Sequence, residues 1–115
     1  MANYFLYPEE HETLNSWLLE WNIKLDHRTR NQFRDALPVA RLVDSLHKNL
    51  VDLSVYKAST SVAGMQNNWK IFKIHVLKSL KVDLSDMDVE HLALGTNGAI
   101  EQLLFCIKYT QHERL

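Results

Sequence analysis

The sequence is short of almost everything that interrupts a helix: it has 2 prolines and 3 glycines in 115 residues. So little turn chemistry argues against a sandwich or barrel of many short strands. A single cysteine, Cys106, excludes an internal disulfide framework and suits a reducing compartment. No uninterrupted apolar run approaches the roughly 18 residues of a membrane span, so no membrane partner is expected. The N-terminus has no basic region and turns acidic at Glu9 and Glu10, unlike a secretory signal, which makes a cytoplasmic location the default. Excess charge is missing too: 13 Lys and Arg against 14 Asp and Glu leave a net charge of −1, which offers nothing to a nucleic acid. Length fits one domain over residues 1–115, with residues 1–7 as a flexible N-terminal segment. An apolar fraction of 46% is enough for a folded core.

What remains is helical periodicity, in five candidates. Pro8 opens the first, where Leu14, Trp17, Leu18 and Trp21 form one apolar stripe to about Asn22. The polar, basic stretch from Ile23 to Arg34 reads as a loop. Asp35 is a natural cap for the second helix, with Pro38 in its first turn and Val39, Leu42, Val43 and Leu46 inward. From Lys48 to Ser61 the pattern weakens, and a short helical turn and an extended buried loop fit equally. The third helix, about Val62 to Lys81, carries Met65, Trp69, Phe72, Val76 and Leu80, with Ile71, Ile74 and Leu77 widening the apolar face. A face that wide predicts a central helix. Ser85 caps a short fourth helix that stops at Gly95, and Asn97 caps a fifth with Ile100, Leu103, Leu104 and Ile107 inward.

Catalytic chemistry has no foothold. The histidines at 11, 27, 47, 75, 91 and 112 include no pair at helical ligand spacing, so no metal site is expected. Cys106 sits in the apolar run Leu103–Ile107 and reads as a small hydrophobe rather than a nucleophile. No glycine-rich phosphate loop exists, and no cofactor is expected. Trp17 and Trp69 fall on core stripes. Trp21, at a helix end beside a polar loop, is a candidate partner anchor. Charge is distributed unevenly: Lys24, Arg28, Arg30 and Arg34 are opposed locally only by Asp26. The third helix has Lys70, Lys73, Lys78 and Lys81 with no acid between Gly64 and Val82. Taken alone, such clusters are ordinary solvated surface.

Read in order, several segments are similar to the calponin-homology-like domain of the sperm flagellar protein and microtubule-associated CLAMP family. They are Leu14-x-x-Trp17, Phe33-Arg34-Asp35-Ala36-Leu37-Pro38-Val39-Ala40, and Leu50-Val51-Asp52-Leu53-x-x-Tyr56. Asn68-Trp69 follows, with Phe72 and Val76-Leu77-x-x-Leu80, and then Asn97-Gly98-Ala99-Ile100-Glu101. Ala36 stands where that family has glycine and Pro38 where it has an apolar residue, and the basic loop does not align residue by residue. The resemblance implies an all-α, single, non-catalytic domain of about five helices around a Trp-containing central helix. It also implies microtubule binding in cilia or flagella through a basic surface, with dimerisation, if any, in a coiled coil beyond this segment. The residues expected to bind are Lys24, Arg28, Arg30, Arg34, Lys70 and Lys73, with Trp21 as the anchor in an alternative role, an adaptor for a cytoskeletal partner that does not touch the filament.

Overall fold

The computed structural model describes residues 4–113, with side chains described through residue 110; His112 therefore lies outside the described side chains. Six α-helices follow in order: α1 (Pro8–Leu19), α2 (His27–Gln32), α3 (Leu37–Leu46), α4 (Val62–Phe72), α5 (Asp86–Leu94) and α6 (Ala99–Glu113). No strand occurs among the described residues. The all-α expectation holds, with one more helix than the periodicity predicts.

The extra helix is α2, inside the stretch expected to be loop. It has no apolar stripe, and none of its residues is buried. A local cap forms it instead: the Asp26 carboxylate accepts the Thr29 N–H at 2.9 Å. A 3₁₀ turn, Phe33–Asp35, follows and buries Phe33. Ala36 then takes a left-handed conformation (φ 71°) that starts α3, so the cap lies one residue later than Asp35. Asp35 still serves the new helix, accepting the Leu37 N–H at 3.1 Å. Left-handed alanine costs about 1–2 kcal/mol. Its fully buried methyl group returns about 0.8 kcal/mol and a less flexible unfolded chain part of the rest, so alanine is tolerable where the related family has glycine.

Stops are as local as starts. Asn22, Lys81 and Gly95 each have positive φ, and the next residue's N–H reaches back five positions: Ile23 to Leu18, Val82 to Leu77, Thr96 to His91. These are Schellman closures, which satisfy carbonyls that a helix end leaves open. Between Lys48 and Ser61 both readings are partly right. The chain runs extended but includes a 3₁₀ turn, Leu53–Val55, before burying Tyr56.

Helix α4 occupies the centre. Met65, Trp69 and Phe72 are buried, and the helix packs on α5 and on the 3₁₀ turn Phe33–Asp35. It then widens into a π-helical turn, Lys73–Leu77, marked by the Lys78 N–H bonding Lys73 O at 3.1 Å. The consequence is a change of phase. At α-helical pitch Leu77 would sit about 140° from Phe72. The wider turn brings Val76 and Leu77 inward together, whereas Ile74, expected on the apolar face, is 62% exposed. On the other side α1 packs against α6, and Leu14, Leu18, Leu103, Leu104 and Ile107 are fully buried between the helices. Tyr4 and Leu6, in the segment expected to be flexible, also pack on the body: Leu6 is buried, and Tyr4 Oη donates to Asp88 at 2.7 Å. Gly98 (φ 84°) makes room for them, since a Cβ there would collide with the Tyr4 carbonyl oxygen.

Two buried polar groups have opposite consequences. The Asn68 amide donates to the carbonyls of Asp35 (2.9 Å) and Lys57 (2.7 Å) and accepts the Lys57 N–H (3.3 Å). Asn68→Ala leaves all three backbone groups without that partner and should cost about 2–4 kcal/mol in urea denaturation. The Tyr56 hydroxyl, by contrast, is buried with no hydrogen-bond partner among the described residues, so Tyr56→Phe should be neutral or stabilising by up to about 1 kcal/mol. Burial, helped by the nearby Asp52 charge, pushes the Tyr56 phenol from its ordinary 10.0 to about 12. Folding therefore favours the protonated form, a contribution complete below pH 10 and lost as pH rises through 12. Alkaline denaturation curves should show a smaller loss over that window in Tyr56→Phe.

Candidate functional site

The four basic residues of the segment after α1 turn out to be unlike one another. Lys24 and Arg28 are exposed, and neither makes an ion pair among the described residues. Arg30 is half-exposed, with Nε 3.5 Å from Glu101 Oε1 across the space between α2 and α6. Arg34 is half-buried, and its Nε donates to the Ala93 carbonyl at 2.9 Å while Nη1 reaches Asn31 Oδ1 at 3.2 Å. Its stem lies against Gly95, where a side chain would press on Arg34 Cδ. Arg34 is thus a tie from the 3₁₀ turn to the end of α5, serving packing before it can serve a partner.

Arg30 and Arg34, but not Lys24 or Arg28, border a cleft of about 400 Å³ between α2 and the α5–α6 turn, lined also by His27, Leu94, Ile100 and Glu101 among others. Lys70 on α4 and Lys73 in the π-helical turn after it do not line the cleft. Lys70 is exposed without an ion pair among the described residues, whereas Lys73 Nζ lies 3.5 Å from Asp86 Oδ1 on α5. Trp21 is half-buried and borders a shallower groove of about 270 Å³ with Ile23, Phe33, Pro38 and Arg41. The expected residues therefore fall into three places: a basic segment with its cleft, the α4–α5 surface, and the Trp21 groove.

Glu101 closes the last of the ordered motifs, but the sequence assigns it no role at the site. It is 6% exposed although it sits in the first turn of α6, where solvent is the usual surrounding of an acid. One signal for it existed, since Glu101 lies one turn before the inward Leu104 and so interrupts the stripe. No group of three metal-ligating side chains occurs among the described residues. Burial pushes the Cys106 thiol up, away from the reactive thiolate form. Of these helices none is long and apolar enough to cross a membrane.

Residues 14–109 match the family model described as the CH-like domain in sperm protein, which covers most of the chain. No match emerges among curated proteins. The chain belongs to this family of calponin-homology-like domains, as the ordered motifs from Leu14 onward imply.

The unequal roles of the arginines should be measurable. Arg34→Ala should lower stability by about 1–2 kcal/mol, since it strands the half-buried Ala93 carbonyl. Arg28→Ala should stay within about 0.5 kcal/mol of the parent. Hydrogen bonds from Thr29, backbone first, hold the Asp26 carboxyl below the usual range. The cap it forms is thus present above the ordinary carboxylate pKa and lost as pH falls through the lowered one. Hydrogen exchange at the α2 amides should accelerate in Asp26→Ala at neutral pH while the protection of α4 and α6 is unchanged.

Proposed function

We propose that this member of the calponin-homology-like family is a non-catalytic cytoskeletal binding module that attaches to microtubules in a ciliary or flagellar setting. The observation that carries the reading is the pair Lys24 and Arg28, exposed, in no ion pair among the described residues and with Asp26 the one acid between them, in a chain of nearly neutral net charge. Asp26 caps the helix that presents Arg28, and buried Phe33 anchors its far end, so the charges stand on ordered backbone. A family described from a sperm protein supports the flagellar setting. Electrostatic attachment to an acidic lattice needs little buried apolar surface and is strongly screened by salt. Lys24 and Arg28 are the principal contacts, Arg30 a contact shared with Glu101, and Lys70 a secondary one. Arg34 and Lys73 contribute less, since their side chains are already engaged within the domain.

Co-sedimentation with taxol-stabilised microtubules tests this. The domain, alone or artificially dimerised, should pellet at low ionic strength and be released by about 0.3 M salt, where the screening length falls to roughly 6 Å. The double reversal Lys24→Glu and Arg28→Glu should weaken pelleting at least about tenfold with an unchanged circular dichroism spectrum. Absence of pelleting by either form would refute the microtubule reading.

A second reading, an adaptor that binds a ciliary or cytoskeletal protein without touching the filament, draws on the Trp21 groove. Half-buried tryptophan beside Pro38 and Arg41 has the composition of an interface anchor. Capture through that groove should survive high salt and be lost in Trp21→Ala, the reverse of the pattern expected for the basic segment.

A further inference from the structure

We propose that the groove beside Trp21 takes one large apolar side chain from an extended, acidic segment of a partner protein, with Arg41 pairing a carboxylate next to that side chain. Helix α3 supplies much of the lining. Pro38, Arg41, Leu42 and Ser45 stand at i, i+3, i+4 and i+7, so they share one face of the helix, and all four line the groove. Trp21 joins them from ordered backbone: its N–H bonds Leu18 O at 2.9 Å, and the Schellman closure at Asn22 follows directly. Buried Phe33 completes the apolar part.

The unengaged polar groups of this lining are donors. Arg41 is exposed, and its guanidinium makes no ion pair or hydrogen bond among the described residues. The Trp21 indole N–H has no partner there either, and it keeps contact with solvent. Ser45 commits its hydroxyl proton to the Arg41 carbonyl, 3.2 Å away. No acid lines the groove. Glu20 and Asp44, the acids nearest in sequence to Trp21 and Arg41, are not part of it.

An apolar lining with one positive charge and no negative one is complementary to an apolar group beside a carboxylate. About 270 Å³ holds a single side chain of leucine or phenylalanine size. The groove is too shallow to enclose a free small acid, since small-molecule sites cover roughly 70–90% of their ligand. A nucleic acid or an anionic membrane calls for several cations on one face, and this groove has one. A peptide is held by the neighbours of the seated residue as well, so one pocket and one ion pair suffice for docking. The inference rests on the adaptor reading and adds what the partner must carry, an apolar residue flanked by acids.

The test is an NMR titration of the folded chain, resolved at amides and indoles, with acetyl-Glu-Glu-Phe-Glu-Glu-amide. Saturable shifts are expected at the Trp21 indole N–H and across residues 38–45, and none at the indoles of Trp17 and Trp69, which are buried. Acetyl-Glu-Glu-Ser-Glu-Glu-amide should bind at least about tenfold more weakly, because the apolar contact comes from the phenylalanine. Arg41→Glu, at an exposed position, should weaken the phenylalanine peptide at least about tenfold and tighten acetyl-Lys-Lys-Phe-Lys-Lys-amide. Misfolding does not produce that reversal of preference. Equal binding of the two acidic peptides, shifts confined to residues 24–34, no saturable binding, or an unchanged preference in Arg41→Glu would each overturn the inference. Concentration-dependent shifts at Trp21 without peptide would assign the groove to a second copy and overturn it too. The inference and the reading beneath it fail separately. Salt-resistant capture of a cytoskeletal protein that Trp21→Ala abolishes and Arg41→Glu leaves intact removes the acidic occupant and keeps the adaptor. Saturable peptide binding without such capture removes the adaptor reading alone.

Discussion

Two adjacent side chains of α4, Asn68 and Trp69, hold the irregular parts of this domain to its centre. Trp69 Nε1 donates to the Arg34 carbonyl at 2.8 Å, and the Asn68 amide serves the backbone of Asp35 and Lys57. Those backbone groups lie in a 3₁₀ turn and an extended segment, neither of which can satisfy its own polar atoms as a helix does. Both donors are themselves buried, so the bonds form in a setting where the alternative to pairing is costly. One helix thus supplies the apolar mass of the core and the hydrogen bonds that fix two connections.

The basic surface depends on that tie. Because the Arg34 carbonyl is bound by Trp69, the Arg34 side chain is carried toward the end of α5, where it takes the Ala93 carbonyl and lies along Gly95. Residues 33–35 are thereby held between α4 and α5, and α2 before them is held beside the first turn of α6. The cleft exists because two short elements, capped by Asp26 and stopped by Gly95, meet there without filling the space. A near-neutral chain presents local positive charge because Lys24, Arg28 and Arg30 cluster at the surface with Asp26 the one acid among them, while two acids elsewhere, Asp88 and Glu101, are buried. Asp88 is a working example: burial opposes its charge, but hydrogen bonds from Ser85 and Tyr4 hold its carboxyl below the usual range.

Much of this was legible in the sequence, and the reasons are specific. Leu14, Trp17 and Leu18 on α1, and Leu103, Leu104 and Ile107 on α6, recur at helical spacing and are buried as that spacing requires. Ser85 and Gly95 bound α5 because a cap and a left-handed stop act within a few residues of themselves. Helix α2 escaped notice since it contributes nothing buried and so has no stripe to recognise. Ile74 was misplaced by a π-helical turn, which no local residue pattern announces. At the site, Lys24 and Arg28 were read correctly as exposed, whereas Arg34 looked equally available and is not.

By itself, then, the sequence determined the helical class, the starts of α1 and α4, both ends of α5 and the family, because periodicity, caps and ordered motifs are properties of neighbours along the chain. Tertiary structure alone decided which charges are free. Arg34 meets Ala93 across 59 positions of sequence, and Arg30 meets Glu101 only where α2 lies beside α6. Such pairings form when packing removes water from one side of a charged group and leaves few polar neighbours within reach. Those neighbours are chosen by the arrangement of helices in space and by nothing written beside the residue itself.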